Sequence, residues 1–220
     1  MGTLYVVATP IGNLGDVTAR ALEVLGSVDL IAAEDTRVTG RLLAAKSLRR
    51  PMTSYRAPVQ RRALPRLLEA LAHGDVAVVS DAGTPSISDP GQQLVAAAWE
   101  AGHQVVAVPG PSAVAAAVSV AGFGGPGYCF VGYLPRKPGE LRRLFESLRD
   151  ARRLTVAFES PHRIEKSLAV LAEALPDRQV AVARELTKLH EELLRGTAAE
   201  LGARLAGRAR GEITLVIAGA

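Results

Sequence analysis

Short segments that are predicted to form strands, most of them apolar, alternate with segments of helical spacing along the first half of the chain. The predicted strands fall at 4–8, 30–33, 52–55, 76–79 and 104–108. Strands that alternate with helices favour a mostly parallel sheet with right-handed crossovers. The sequence therefore predicts an α/β domain over residues 1–121, which ends at the glycine-rich stretch 122–127.

The second half has the same α/β character with a different arrangement of strands. Strands are predicted at 128–133, 153–158, 179–185, 189–195 and 212–218, and helices near 138–149, 161–174 and 197–206. The strands 179–185 and 189–195 are close enough in sequence to form a hairpin, so this sheet is expected to be mixed. We predict a second α/β domain over residues 122–220, with a ligand cleft between the two domains.

The composition limits the class of protein. Hydrophobic residues make up 48% of the 220 residues and charged residues 22%, and no apolar run is long enough to cross a bilayer. The single cysteine, Cys129, excludes a disulfide framework, which favours a reducing cytoplasm. Because it lies in an apolar run, Cys129 is predicted to be a core residue. The four histidines are scattered, so no metal site is expected.

The loop Ser80–Gly91 follows Val76–Val79, a β-branched apolar run that is predicted to form a strand buried on both faces. Loops at the carboxyl ends of parallel strands commonly hold ligands, and the glycines of this loop allow a close approach of the backbone. No Lys or Arg is present to hold a phosphate. The loop therefore predicts a site for a small ligand other than a polyphosphate, faced by Asp81 and by Gly83–Thr84. For Asp89 the preferred interpretation is a cap of the next helix.

The segment 37–66 is strongly basic. Nine of its thirty residues are Arg or Lys and none is Asp or Glu. This charge pattern indicates a surface for a polyanion, and nucleic acid is the preferred partner. A solvated helix face is the alternative, although such faces usually mix the two signs of charge. The basic residues are Arg37, Arg41, Lys46, Arg49, Arg50, Arg56, Arg61, Arg62 and Arg66.

Several motifs occur in order along nearly the whole chain. They are Ala8–Gly15, Ala33–Arg37, Ser80–Pro85, Ser88–Gly91, Pro109–Ala113, Gly132–Lys137, Phe158–Arg163 and Arg184–Glu192. Through these motifs the chain resembles the tetrapyrrole-methylase superfamily. Within it, the chain is similar to the group that methylates a cytidine ribose 2′-hydroxyl in 16S ribosomal RNA with S-adenosylmethionine.

The resemblance implies roles for individual residues. The cofactor would contact Pro10, Gly12, Asp81, Gly83, Thr84, Ser112, Ala113, Phe158 and Ile213. Candidates for a base that takes the hydroxyl proton are Glu34, Asp35, Glu159 and His162. Each has a structural alternative, such as an ion pair with Arg37 for the acidic pair or a helix start for His162. RNA phosphates would contact Arg37, Arg49, Arg50, Arg61, Arg62, Arg136, Lys137 and Arg163.

The implied partner is 16S ribosomal RNA or the small ribosomal subunit, with a cytoplasmic location, no membrane contact and a homodimeric assembly. Two alternatives stay open: a precorrin-type tetrapyrrole methyltransferase, and a non-catalytic RNA-binding assembly factor with the same fold. The chain departs from its relatives at Arg56–Gln60, where they commonly carry His and acidic residues. Many relatives also extend beyond the position of Ala220, so an auxiliary RNA-contacting module is expected to be missing.

Overall fold

The computed structural model describes residues 1–220, apart from the side chain of Pro58. The chain divides into two compact units, Met1–Ser112 and Ala113–Ala220. The division falls at the start of the helix Ala113–Ala121, whereas the sequence predicted it at the end of that helix. The helix belongs with the second unit because it packs on three strands of that unit.

The first unit contains one parallel sheet. Its strands are β1 (Thr3–Val7), β2 (Leu30–Ala33), β3 (Met52–Ser54), β4 (Val76–Val79) and β5 (Gln104–Val108). The strand order is β3-β2-β4-β1-β5, and every neighbouring pair is parallel. The helices are α1 (Ala19–Ser27), α2 (Thr36–Ala45), α3 (Gln60–His73) and α4 (Gln92–Glu100), with 3-10 turns at Leu14–Asp16 and Ala57–Val59. The predicted parallel α/β sheet is confirmed.

Apolar clusters cover both faces of the first sheet. On one face, Leu25 of α1 packs with Ala77 and Val79 of β4. On the other face, Leu67 and Leu94 pack with Val76 and Val78, the alternate residues of the same strand. All four residues of β4 are buried, as its β-branched sequence predicts. A ligand therefore reaches this sheet at the ends of its strands.

The helix starts depart from the prediction at one position. Helix α4 begins after Gly91, whose φ is 151°, and no side chain caps it by a hydrogen bond. The prediction that Asp89 caps this helix is wrong, because the helix begins too far along the chain for Asp89 to be its first flanking residue. A different helix, α2, is capped by Asp35, whose side chain accepts a hydrogen bond from the Arg37 N–H.

The second unit contains a mixed sheet, as predicted. Its strands are β6 (Tyr128–Tyr133), β7 (Leu154–Glu159), β8 (Gln179–Arg184), β9 (Glu192–Thr197) and β10 (Ile213–Ile217), in the order β6-β7-β10-β8-β9. Only β6 and β7 pair in parallel, and β8 and β9 form the predicted hairpin. Its helices are α5 (Ala113–Ala121), α6 (Pro138–Ser147), α7 (Ile164–Ala174) and α8 (Ala198–Leu205).

The core of the second unit lies on the side of the sheet covered by α6, α7 and α8, where Phe145, Leu168 and Leu201 are fully buried. Cys129 is exposed, so its prediction as a core residue is wrong. The physical reason is that β6 is an edge strand whose first two residues are both exposed. Among the described residues, no helix combines the length and the apolar character needed to cross a membrane.

Candidate active site

The strands of the first sheet all run in the same direction, so the loops that follow them emerge at one edge, the carboxyl edge. The topology thereby places four predicted motifs of this unit at the same edge. They are the loops that begin at Ala8, Glu34, Ser80 and Pro109. The carboxyl edge is the candidate active site.

Three of these loops meet at Gly83. The Thr9 N–H donates to the Gly83 carbonyl over 2.9 Å, and the Gly83 N–H donates to the Thr9 carbonyl over 3.0 Å. The Thr84 hydroxyl donates to the Pro111 carbonyl over 3.4 Å. Gly83 has a φ of 78°, and a Cβ built on it would lie 3.4 Å from Cγ2 of Ile11. Glycine at this position therefore allows the backbone conformation that joins the loops.

Carboxylate side chains connect the ends of β2 and β4. The Asp81 N–H donates to Oε2 of Glu34 over 3.1 Å, and the Asp35 N–H donates to Oδ1 of Asp81 over 3.0 Å. Asp35 also forms an ion pair with the Arg37 guanidinium at 2.6 Å. The three carboxylates therefore hold the backbone of the two loops in a fixed relation.

The environment shifts the pKa values of these three carboxyl groups in different directions. Burial raises the pKa of Glu34, and the negative charges of Asp89, Asp81 and Asp35 raise it further. The hydrogen bond from the Asp81 N–H acts in the opposite direction, but the net effect is a raised pKa. Burial also raises the pKa of Asp81. Hydrogen bonds from the Arg37 side chain and backbone lower the pKa of Asp35. Of the two adjacent acids, Glu34 is the one whose pKa moves toward the range suited to general base catalysis.

The remaining predicted cofactor residues belong to different parts of the molecule. Pro10 is buried and Gly12 is exposed in the loop after β1, and Ser112 is half-buried after β5. Ala113 begins α5 in the second unit.

Phe158 and Ile213 lie together at one end of the second sheet. Phe158 is the partner of Thr214 in the register of β7 with β10, next to the pair Glu159–Ile213. The Phe158 ring packs edge-on against the rings of Phe130 and Tyr133, with centroid separations of 4.9 and 5.6 Å.

Glu159 is enclosed by its own unit. It accepts hydrogen bonds from the Ser167 hydroxyl at 2.5 Å and from Nε of Arg163 at 2.8 Å, and its side chain is 0% exposed. Arg163 also donates to the Leu134 carbonyl. These bonds fix the junction of β7 and α7, so we propose neither proton transfer at Glu159 nor phosphate binding at Arg163. His162 is exposed in the turn between them.

The topology separates the basic segment 37–66 into two groups. Helix α2 leaves the carboxyl edge with Arg37 and Arg41 and ends at the opposite edge, the amino edge, about 15 Å away for a helix of this length. Arg49 and Arg50 therefore lie at the amino edge, where β3 begins. The Arg50 guanidinium donates to the Gly26 carbonyl there. This segment is not the single surface that the sequence indicated.

The other basic residues return to the carboxyl edge or lie in the second unit. Arg56, Arg61 and Arg62 are exposed after β3, at the carboxyl edge. Arg136 and Lys137 are exposed before α6, and Lys137 forms an ion pair with Glu140 at 3.1 Å.

Sequence reasoning missed Thr9. This residue is buried, pairs with Gly83 through both of its backbone groups, and donates its hydroxyl to the Ser80 carbonyl over 3.2 Å. Its neighbour Pro10 was identified from a motif, but a contact between residues so distant in sequence depends on the strand order. No cluster of three or more possible metal-binding side chains occurs among the described residues.

The chain is similar to known methyltransferases. A family model described as Tetrapyrrole (Corrin/Porphyrin) Methylases matches residues 3–202. Proteins named ribosomal RNA small subunit methyltransferase I are similar over the whole chain. The one from Neisseria meningitidis serogroup B is 48% identical, over 98% of this chain and 76% of the relative. The one from Thermotoga maritima is 46% identical, over 100% of this chain and 99% of the relative.

Solved structures with the same fold include enzymes of tetrapyrrole metabolism. A cobalt precorrin-4 methyltransferase has a TM-score of 0.73 at 17% identity, over 98% of this chain and 94% of the other. A uroporphyrin-III C-methyltransferase from Thermus thermophilus has a TM-score of 0.70 at 20% identity, over 99% and 94%. The fold and the family-model match agree, and the chain belongs to the tetrapyrrole methylase family, in which it is similar to the ribosomal RNA small subunit methyltransferase I proteins.

Proposed function

We propose that this protein transfers a methyl group from S-adenosylmethionine to the RNA of the small ribosomal subunit. The observation that carries the proposal is the carboxyl edge, where the loops joined at Gly83 meet the carboxylates of Glu34 and Asp81. The relatives at 46–48% identity, which are named for this class of substrate, support the choice of RNA. The acceptor that we propose is the 2′-hydroxyl of a cytidine ribose.

The residues of the carboxyl edge fit this cofactor. Because Gly83 has no side chain, the space beside Ile11 that a Cβ atom would fill stays open. The loop 80–91 contains acceptor oxygens and no basic side chain, which suits a cationic ligand with hydroxyl and amino groups. Bound S-adenosylmethionine supplies an electrophilic methyl group attached to a positively charged sulfur. In the first unit, it would be held by Pro10, Gly12, Asp81, Gly83, Thr84 and Ser112.

We propose that Glu34 accepts the proton of the attacking hydroxyl. Its Oε2 is used by the Asp81 N–H, whereas Oε1 has no hydrogen-bond partner among the described residues. Its raised pKa makes it a stronger base than Asp35. Asp35 instead caps α2 and holds Arg37, so it is a positioning residue. Alignment of the acceptor with the methyl group supplies much of the acceleration in such a displacement.

We propose that exposed arginines of the carboxyl edge contact RNA phosphates. The positive charge of Arg41 acts on the Asp81 carboxyl and opposes the rise in its pKa that burial causes, so this charge is close to the candidate site. Arg56, Arg61 and Arg62 are exposed at the same edge. Arg49 and Arg50 lie at the amino edge, away from the candidate site. Phosphate contacts position the RNA without reading its sequence.

Two alternative functions can be tested directly. The likeness of the fold to tetrapyrrole methyltransferases keeps a tetrapyrrole acceptor as the second candidate. Incubation of the protein with labelled S-adenosylmethionine and either small subunits or uroporphyrinogen III separates the two acceptors. A non-catalytic assembly factor would bind the RNA and transfer no label to either acceptor. Homodimer formation and a cytoplasmic location stay predictions.

The position of the new methyl group tests the acceptor. A 2′-O-methyl group protects the adjacent phosphodiester from alkaline cleavage, whereas a methylated base does not. We expect label in alkali-resistant dinucleotides that contain cytidine. An RNA with 2′-deoxyribose at the target should accept no methyl group, and transfer to that RNA would contradict a ribose acceptor.

A further inference from the structure

The second unit has a groove at the edge of its sheet where β6 and β7 begin, which we call the arginine groove. Its volume is about 460 Å³, and it is lined by the turn Gly122–Pro126, by Arg152, Gln179 and Arg195, and by residues 218–220. The groove lies at the opposite strand ends from Phe158.

One arginine of the groove lies over an aromatic ring. The Arg195 guanidinium lies over the Phe123 ring, 4.8 Å from its centroid. Gly122 makes room for it: a Cβ there would lie 3.0 Å from Nη1 of Arg195. Gly122 also has a φ of 66°, which a residue with a side chain rarely adopts. The local sequence therefore favours this contact between the Arg195 guanidinium and the Phe123 ring.

The arginines of this groove differ from others in the same unit. Arg163, Arg184 and Arg208 each form an ion pair with a carboxylate at 2.6–2.9 Å. Arg152 and Arg195 are exposed, and neither forms an ion pair with a described side chain. No Asp or Glu side chain lines the groove. Two guanidinium groups that form no ion pair with an Asp or Glu side chain favour the binding of an anion.

A guanidinium supported on one face by an aromatic ring can stack a nucleobase on its other face. A neighbouring guanidinium can contact the phosphate that follows that base. We propose that the arginine groove binds single-stranded RNA, with Arg195 beneath a base and Arg152 on the backbone. This inference rests on the proposed function, in that the substrate is RNA, and it adds a second contact surface on the other unit of the chain.

The test compares two variants that remove the same charge. The first is Arg152→Gln with Arg195→Gln. The control is Arg143→Gln with Lys166→Gln, which removes two exposed positive charges from α6 and α7 that do not line the groove. Binding of a fluorescein-labelled oligouridylate is titrated over a range of salt concentrations, and S-adenosylmethionine affinity is measured by calorimetry.

We expect the groove variant to bind the oligonucleotide at least tenfold more weakly at low salt. Its slope of log affinity against log salt should fall by about 0.7, because Arg152 is the residue of the pair that we place on a phosphate. The control should change much less, and neither variant should alter the affinity for S-adenosylmethionine. Phe123→Leu should weaken binding with little change in slope, because it removes the ring and no charge.

Equal weakening in the groove variant and the control would overturn the inference, because net charge alone would then explain binding. If the groove variant binds the oligonucleotide as tightly as the wild type does, the inference is also overturned, whereas the proposed function is unaffected. If the wild-type protein binds neither the oligonucleotide nor small subunits, the proposed RNA substrate is wrong together with the groove. The methylation assay on small subunits reports on the proposed function separately.

Discussion

Glu34 and Asp35 are adjacent in the chain, yet their carboxyl groups have opposite environments. The Glu34 carboxyl is partly buried among other acids, whereas both oxygens of Asp35 face the Arg37 side chain. Glu34→Gln keeps an oxygen that can accept the Asp81 N–H but cannot take a proton. We expect methyl transfer to fall by about a hundredfold or more, with S-adenosylmethionine affinity nearly unchanged.

Asp35→Asn is the matched control. It keeps an oxygen for the cap of α2 and weakens the ion pair, so transfer should fall far less than in Glu34→Gln. Single-turnover assays with small subunits measure both. Full activity of Glu34→Gln would show that Glu34 only positions the Asp81 loop and that alignment carries the reaction.

The raised pKa of Glu34 also predicts a pH dependence of stability. A carboxyl group with a raised pKa in the folded protein binds its proton more tightly there than in the unfolded chain. Its favourable contribution is present below the unfolded pKa and is lost as the pH rises through the folded pKa. The variant Glu34→Gln lacks this contribution. Its free energy of unfolding should therefore rise relative to that of the wild type as the pH increases from acidic to neutral. Urea denaturation at several pH values measures the difference.

Gly83 supports a prediction about the joined loops. An alanine at a φ of 78° costs on the order of 1–2 kcal/mol, so Gly83→Ala should lower the free energy of unfolding by about that amount. It should also weaken S-adenosylmethionine binding. Gly139→Ala is the control, since no atom lies within 4 Å of the Cβ position and its φ is not in the left-handed region. Calorimetry and denaturation together measure both effects, and unchanged affinity in Gly83→Ala would remove this loop from the site.

At the scale of elements, the junction of β7 and α7 depends on a buried ion pair. Arg163→Ala would leave the enclosed Glu159 carboxylate without its charged partner, which should cost about 3–5 kcal/mol. Arg142→Ala is the matched control, because the Glu173 partner of Arg142 is exposed and such pairs contribute roughly 0–1 kcal/mol. Denaturant unfolding measures both. Equal stabilities of the two variants would contradict the structural role of Arg163.

At the scale of the whole molecule, the two groups of the basic segment give matched variants for RNA binding. Arg61→Gln with Arg62→Gln alters the carboxyl edge, and Lys46→Gln with Arg49→Gln alters the amino edge. The first pair should lower the slope of log affinity against log salt by about 0.7–0.9 per lost contact, and the second should change it little. Titration of small-subunit RNA measures the slopes. A larger effect of the amino-edge pair would contradict the proposed RNA surface.

The sequence predicted most of the architecture because the strands are short, apolar and separated by clear helices. The parallel first sheet and the β8–β9 hairpin follow directly from that pattern. The sequence could not show how charges are distributed in space. Arg163 and Glu159 looked functional in a motif, but they satisfy each other inside the unit. The separation of Arg49 from Arg61 likewise depends on the path of α2 and β3.

The interior position of β1 in the first sheet has a consequence for the order in which the nascent chain can fold. Leu4 pairs with Val76 on one side and with Val105 on the other, so β1 has neither sheet neighbour when it is made. At about 5–20 residues per second, roughly 4–15 s pass before β4 is synthesised. During that interval β2 and β3 can already pair, while the apolar β1 stays open to chaperones and proteases. The carboxyl edge is therefore assembled late, since Thr9 meets Gly83 only after β4 has been added.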